Sequence, residues 1–224
     1  MATSGVDAYE SIRARVLSGD LPGGSRLVNR TLGKDIGMSH VPVREALHRL
    51  VSDGLVEHIP GAGTFVRSLS AEDLSHLYSL RECLECFAVR QACSNISSWQ
   101  LQVLRKKLEQ GESLNEKMRD SGRAVFGEEE RAAWFRHEQE LHQTILDASG
   151  NPWLTKMVEQ VHLLARVIQS NPMELTVASV EKILTEHAKL VEAIEDRNGD
   201  RASELMSIHI RTGFENQLVR FEGI

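Results

Sequence analysis

The spacing of apolar residues over the first 69 positions predicts three short helices. Apolar side chains recur every three or four residues in three stretches, which is the period of an amphipathic helix. A glycine follows each stretch closely, as is common just past the end of a helix. The predicted helices are Ala8–Leu17, Arg30–Ile36 and Val41–Asp53, with Asn29 and Ser39 as the expected N-caps of the second and third.

Two β-favouring runs around a glycine-rich turn follow the third helix. Leu55–Ile59 and Thr64–Val66 flank Pro60-Gly61-Ala62-Gly63, a pattern that predicts a hairpin. A further short strand is predicted at Arg26 and Leu27. A helix, a short turn, a capped helix and a hairpin form the winged helix-turn-helix arrangement. The third helix of such a domain enters the DNA major groove, which is about 12 Å wide.

The predicted third helix has two chemically different faces. Its apolar face is expected to pack in the domain core and consists of Val43, Leu47 and Leu50. Its polar face, with residues four apart, carries His40, Arg44 and His48, and Arg49 lies beside them. Imidazole and guanidinium groups suit hydrogen bonds to base edges and phosphates. This face is therefore the expected DNA contact.

From Ser70 onward the pattern is helical throughout, interrupted by Asn-, Gly- and Pro-containing breaks at 149–152, 171–172 and 198–200. Amphipathic helices joined by short loops predict an antiparallel bundle. The predicted helices are Ala71–Ser94, Ser98–Arg119, Glu128–Ala148, Pro152–Ser170, Leu175–Arg197 and Arg201–Phe221. The chain is therefore predicted to be mainly α, with a winged helix-turn-helix domain at 1–69 and a helical domain at 70–224.

Charge is distributed unevenly between these two parts. Residues 1–67 hold eight Lys or Arg against seven Asp or Glu, a net charge of +1, whereas residues 68–224 hold eighteen against twenty-five, a net charge of -7. Phosphate binding depends on the local field, so the overall charge of -6 still permits a DNA-binding front domain.

Cysteine usage and apolar content bear on the expected compartment. Cys83, Cys86 and Cys93 are an odd, clustered set, which is a poor disulfide framework and fits a reducing cytosol. The sequence also lacks a signal-peptide pattern and any run of about 18 apolar residues. A cytoplasmic protein with no membrane partner is expected.

Four segments of the front part resemble the GntR family of regulators. They are Leu21–Leu27 (LPGGSRL), Met38–Leu50 (MSHVPVREALHRL), Gly54–Val56 (GLV) and Gly63–Val66 (GTFV). The helical part resembles the FCD ligand-binding domain of the FadR branch. The resemblance implies a repressor that binds double-stranded operator DNA as a homodimer, with a recognition helix of each subunit in successive major grooves. It also implies that a small organic acid effector modulates this binding.

The resemblance also implies which residues contact DNA. In that family the contacts come from the second helix, the start of the third helix and the wing. Together with the polar face of the third helix, the expected set is Arg30, Ser39, His40, Arg44, His48, Arg49, Gly61 and Gly63. Arg44 is the foremost candidate, because arginine bonds bidentately to guanine; the alternative is a surface salt bridge. His40 departs from the arginine common at its position, which changes the expected base preference.

An acid and three histidines in the helical part are a candidate metal site. Glu138 and His142 are four residues apart and share a helix face, while His187 and His209 lie on the last two predicted helices. Such donors suit zinc, nickel or manganese. Spacing does not show that they converge, and histidines on amphipathic helices are more often packed or solvated.

The resemblance favours the metal interpretation. Many FCD domains carry Asp-x3-His on one helix and a histidine on each of the last two helices, and here Glu138 stands in place of the aspartate. The resemblance implies a divalent metal, foremost zinc, with a coordination position open to an effector carboxylate. It also places Arg81 in the same cavity, where a guanidinium would grip that carboxylate. The alternative for Arg81 is an ion pair with Glu82 or Glu85.

Two other functions compete with this hypothesis. Di-iron enzymes built on helical bundles use Glu-x-x-His pairs. The residues three positions before the histidines are Gln139, Leu184 and Met206, so this signature is absent and an enzyme is not expected. A closer alternative is a metal-free, FadR-like sensor of acyl-coenzyme A, for which the histidine set would have no use.

Overall fold

The computed structural model describes residues 3–167 and 175–221 and is mainly helical, as predicted. Among these residues, no helix combines the length and the apolar composition that a bilayer-spanning helix requires. In chain order the elements are α1 (Thr3–Ser18), β1 (Arg26–Leu27), α2 (Asn29–Asp35), α3 (His40–Ser52), β2 (Val56–Ile59), β3 (Gly63–Val66), α4 (Ala71–Asn95), α5 (Ser98–Asp120), α6 (Glu128–Ala148), α7 (Pro152–Val167), α8 (Val177–Glu195) and α9 (Gly199–Phe221).

Three strands form the wing beside helices α1–α3. The sheet is antiparallel with the order β1-β3-β2, and Arg26 pairs with Phe65 while Val56 pairs with Val66. The predicted core positions of the third helix, Val43, Leu47 and Leu50, are all buried. They pack in one apolar cluster with residues of α1, α2 and the sheet. The winged helix-turn-helix prediction is confirmed.

The predicted N-cap of α2 is wrong, whereas that of α3 is confirmed in position but lacks the side-chain hydrogen bond. Asn29 lies inside α2, and Val28 occupies the N-cap position. Ser39 is the N-cap residue of α3, but its hydroxyl makes no capping hydrogen bond. The turn between the two helices is held by a backbone bond in which Met38 N donates to Gly33 O, at 2.8 Å. A Cβ on Gly33 would lie 2.7 Å from Met38 O, so this turn requires a glycine.

The described residues divide into two compact units. One comprises residues 3–77, 160–167 and 217–221, and the other comprises 78–159 and 175–216. Apolar clusters of the second unit include one around Trp134, Leu175 and Val180 and another around Leu146 and Val158. The domain boundary between residues 69 and 70 stays a prediction.

Helix ends differ by a few residues from the predicted bounds. The fifth helix of the bundle was predicted over Leu175–Arg197 but spans Val177–Glu195. It begins later because the Thr176 side chain accepts a hydrogen bond from Ser179 N and caps the helix. It ends earlier because Arg197 has a φ of 53°, which is not helical. The predicted end of the fourth helix at Ser170 and the break at 171–172 lie outside the described residues.

Candidate functional site

The polar face of α3 lies on the surface of the first unit. His40, Arg44 and His48 are all exposed, and Arg30 on α2 and Ser39 before α3 are exposed as well. The opposite face of α3 is buried in the apolar cluster. The charged and imidazole groups therefore point away from the core, as a DNA-reading helix requires. Their individual contacts with DNA stay predictions.

Arg49 contacts α1, although it was predicted to lie with the DNA-binding face. Its guanidinium carbon lies 3.8 Å from the centre of the Tyr9 ring, a cation–π contact. The Tyr9 hydroxyl donates to Asp53 Oδ2 at 2.6 Å. Burial, together with Asp53, raises the pKa of Tyr9 to about 12. This arrangement ties the C-terminal half of α3 to α1.

The β2–β3 hairpin of the wing carries two glycines, one of which lies against an arginine of β1. Gly61 is exposed with a φ of 79°, and Gly63 has a φ of 123°. A Cβ on Gly63 would lie 3.1 Å from Arg26 Nε, so the glycine leaves room for this guanidinium. No lysine or arginine occurs in the sequence between Val56 and Val66.

Arg26 on β1 therefore brings a positive charge to the β2–β3 hairpin, which has no lysine or arginine of its own. The sequence pattern predicts only a strand at Arg26. The lack of a basic residue in the predicted hairpin was the signal that could have drawn attention to a neighbouring cation. The pairing of β1 with β3, which places Arg26 opposite Phe65, could not be read from the sequence.

Glu138, His142, His187 and His209 come together in the second unit. One potential ligand atom from each residue lies within 4.8 Å of those of the other three. The imidazole centroids are 4.8 Å apart for His187 and His209, 5.3 Å for His142 and His209, and 5.6 Å for His142 and His187. Three helices, α6, α8 and α9, supply this cluster, which we call the His3Glu cluster.

Two carboxylates outside the His3Glu cluster orient two of its histidines. His142 Nδ1 lies 3.1 Å from Glu85 Oε2, and His209 Nδ1 lies 2.9 Å from Glu186 Oε2. Because an ionised carboxylate only accepts, each Nδ1 carries the hydrogen and donates it. Each Nε2 is then left with a lone pair. Histidine ligands in metal sites are commonly oriented in this manner.

Several polar atoms of the His3Glu cluster are buried without a hydrogen-bond partner. Among the described residues, these include Glu138 Oε1 and both ring nitrogens of His187. Glu138 Oε1 lies 3.5 Å from His187 Nδ1. Unpaired buried polar groups are costly, and a bound ion would satisfy them. The donor set and these orphaned atoms fit a divalent metal.

Burial shifts the pKa values of Glu138 and His187 in opposite directions. The pKa of Glu138 rises from 4.5 to about 8 because the side chain is desolvated, an effect that nearby Arg81 opposes. Burial, together with His209 and His142, lowers the pKa of His187 well below 6.5. His187 is therefore neutral at physiological pH, which is the form that binds a metal. A cation would also favour ionised Glu138.

Arg81 is held beside the His3Glu cluster by a buried acid. Its Nε donates to Glu85 Oε1 at 2.9 Å, and its guanidinium carbon lies 4.8 Å from the centre of the Tyr78 ring. The Arg81 side chain is 16% exposed and that of Glu85 is 2% exposed, so this pair does not lie on the surface. Glu82, the other expected partner, instead accepts from Arg211 and Ser207.

Glu85 was predicted only as an alternative ion-pair partner of Arg81, and no role was predicted for Glu186. The available signal was position: Glu85 follows Arg81 by one helical turn, and Glu186 directly precedes His187. The histidines that these acids orient lie on other helices, so the sequence alone did not indicate their roles.

Comparisons with known proteins agree with this architecture. Residues 76–212 match the family model of the FCD domain, and residues 5–66 match that of "Bacterial regulatory proteins, gntR family". The chain is 29% identical over 201 residues to the Nta operon transcriptional regulator of Aminobacter aminovorans, covering 89% of this chain and 88% of that protein. It is 28% identical over 221 residues to the transcriptional repressor GlaR of Escherichia coli, covering 95% and 94%.

A solved structure shares the fold of this chain. Superposition on McbR/YncC of Escherichia coli has a TM-score of 0.78 at 22% identity and covers 99% of this chain and 100% of the other. At this identity, the likeness supports the fold alone.

Proposed function

The chain belongs to the GntR family of bacterial transcriptional regulators and carries an FCD domain, and from this premise we propose that it is a metal-dependent, carboxylate-responsive repressor. A homodimer binds operator DNA through the exposed face of α3 and the wing. A small organic acid binds at a divalent metal, foremost zinc, in the helical domain and lowers the affinity for DNA. The observation that carries this proposal is the convergence of the His3Glu cluster beside Arg81.

The proposed DNA interface consists of α3, the exposed arginine of α2 and the wing. Arg44 lies near the start of α3, where recognition helices contact base edges. Arg26 supplies the wing with a cation suited to a phosphate. Arg49 is assigned mainly to packing, because its guanidinium lies against Tyr9. The name of the relative GlaR supports repression rather than activation.

The proposed dimer contact is an apolar surface formed by α4 and α7. Leu80 and Phe87 on α4 are 51% and 49% exposed, and Trp153 and Met157 on α7 are 75% and 58% exposed. The two helices pack on each other through Leu84, Ala88, Leu154 and Val158. Leu80 and Phe87 are seven residues apart and Trp153 and Met157 are four apart, so each pair shares one face of its helix, and exposed apolar faces indicate a protein contact. A second copy of the chain is the proposed partner, because paired operator half-sites require a dimer.

The His3Glu cluster would hold the metal, with Glu138 and one nitrogen of each histidine as ligands. A bound divalent ion would supply a Lewis-acid centre that accepts an oxygen ligand from outside the protein. Arg81 would bind the same carboxylate by charge-assisted hydrogen bonds. The bound acid favours one arrangement of the two DNA-binding domains over another and thereby changes their fit to the operator.

Substitution of Arg44 tests the DNA interface. The probe is a duplex that the wild-type protein selects from random sequences, and binding is measured by gel mobility shift. Arg44→Ala should weaken binding by about tenfold or more, since one bidentate base contact contributes about 1–3 kcal/mol. Arg201→Ala, an exposed arginine at the start of α9, is the matched control. Unchanged affinity of Arg44→Ala would refute the proposed interface.

Elemental analysis tests the metal site. Protein purified without chelator should contain about one divalent ion per chain, and His187→Ala should lose most of it, because His187 is buried within the cluster. His162→Ala, a histidine outside the cluster, is the control and should retain the ion. Wild-type protein that remains metal-free after incubation with zinc, nickel and manganese contradicts the proposal.

A further inference from the structure

Glu85 on α4 is in contact with both parts of the proposed effector site. It is 1% exposed, and each carboxylate oxygen has a different partner. Oε1 accepts from Arg81 Nε at 2.9 Å, and Oε2 accepts from His142 Nδ1 at 3.1 Å. One buried carboxylate thus links the arginine assigned to the organic acid with a histidine assigned to the metal.

We propose that Glu85 is a positioning residue that couples metal binding at His142 to the placement of Arg81. This inference rests on the metal and carboxylate site proposed above. Glu85 contacts neither bound species in this scheme and acts through the two side chains that do.

The first half of the coupling is the orientation of His142. Its Nδ1 donates to Glu85, which fixes the ring and leaves Nε2 as the nitrogen with a lone pair. Loss of a carboxylate that orients a metal-binding histidine typically lowers metal affinity by about 10–100-fold. Because Glu85 is buried, water cannot readily replace it as the acceptor.

The second half is the anchoring of Glu85 by Arg81. The guanidinium bonds Glu85 through Nε and lies over Tyr78, so its position is defined by two neighbours on α4. Removing Arg81 takes away the donor to Oε1 of Glu85 and thereby weakens the constraint that holds the carboxylate against His142. By linkage, a group that immobilises Arg81 also strengthens the hold of Glu85 on His142.

Glu186 provides an internal comparison. It accepts from His209 Nδ1 at 2.9 Å and so orients a second proposed ligand. Glu85 bonds both a histidine of the His3Glu cluster and Arg81. For Glu186, the described residues show the bond to His209 but none to Arg81. Substitution of either acid should lower the metal affinity. Only the decrease caused by substituting Glu85 should depend on whether Arg81 is present.

A double-mutant cycle tests this coupling without any organic acid. Co²⁺ affinity is measured by competition with a chromophoric chelator for the full-length wild type, Glu85→Gln, Arg81→Gln and the double variant. Glu85→Gln should weaken Co²⁺ binding about tenfold. Arg81→Gln should weaken it in the wild type, and this loss should be at least about threefold smaller when Glu85→Gln is present. The electrostatic effect of Arg81 on Glu138 persists in both backgrounds and cancels in the comparison.

Glu186→Gln is the matched control. Glu186→Gln should also weaken Co²⁺ binding. In this background, however, Arg81→Gln should lower the Co²⁺ affinity by the same factor as it does in the wild type. Circular dichroism verifies folding of each variant. If Glu85→Gln does not fold, Glu85→Asp replaces it, because its shorter side chain keeps the charge but cannot hold both partners.

The outcomes separate the two proposals. If the wild type binds Co²⁺ tightly and the losses of Co²⁺ affinity in Glu85→Gln and Arg81→Gln are additive, the coupling is refuted but the proposed metal site is not. A wild type that binds no Co²⁺ overturns both. Non-additivity with Glu85 and additivity with Glu186 supports the coupling.

Discussion

Replacing Glu138 with glutamine should remove a pH-dependent cost that the metal-free protein carries. Burial raises the pKa of this carboxyl from 4.5 to about 8. Between these values the unfolded chain releases a proton that the folded protein retains. The folded state therefore loses stability as the pH rises through this window, and the loss is complete above pH 8.

The size of the effect follows from the proton balance. Each pH unit inside the window corresponds to about 1.4 kcal/mol, so the step from about pH 5 to about pH 7 costs the folded wild type about 2–3 kcal/mol. The Glu138 side chain is only 19% exposed, so solvent screens little of this cost. A glutamine side chain has no titratable proton, so the Glu138→Gln variant avoids this dependence.

Urea unfolding of chelator-treated protein at a series of pH values measures this difference. The free energy of unfolding of Glu138→Gln minus that of the wild type should increase by about 2–3 kcal/mol from about pH 5 to about pH 7. For Glu112→Gln, an exposed carboxylate on α5, the same difference should stay constant. Saturating zinc should reverse the order, because ionised Glu138 is then a ligand. A difference independent of pH would mean that Glu138 is already ionised in the folded metal-free protein and would refute the reasoning.

Three further predictions concern DNA binding, assembly and folding. Arg26→Ala should weaken binding to duplex DNA of any sequence. In a salt titration, the slope of log affinity against log salt concentration should become shallower by about 0.9, as expected for one lost phosphate contact. An unchanged slope would argue against a contact between the wing and the DNA. Trp153→Asp should convert the proposed dimer to a monomer in sedimentation experiments, because a charge would replace the most exposed large apolar side chain of the α4–α7 surface. A dimeric mass for this variant would contradict the proposed contact. Gly33→Ala should lower the free energy of unfolding by about 1–3 kcal/mol, since its Cβ would lie 2.7 Å from Met38 O. Gly37→Ala is the control that separates this clash from backbone strain, because a Cβ on Gly37 would meet nothing within 4 Å, whereas the φ of Gly37 is 69°.

Much of the fold was predictable from the sequence because its signals are local. The 3.6-residue spacing of apolar side chains marks each helix and its buried face, and Val43, Leu47 and Leu50 are buried as that spacing indicates. The wing was predicted because its glycines lie between two β-favouring runs. Cap positions were less predictable, since the turn at Gly33 depends on a close backbone approach rather than on a side-chain bond at Ser39.

The amino-acid sequence by itself determined the helices, the wing and the residue types available for metal and DNA binding. It also set Glu138 and His142 on one face of α6, because residues four apart on a helix are neighbours. Only the tertiary structure decided that His187 and His209 meet them, that Glu85 joins His142 to Arg81, and that Arg26 lies against Gly63. The physical reason is that helix periodicity acts within a few residues. Convergence depends on how elements far apart in the chain pack, and the whole core determines that packing.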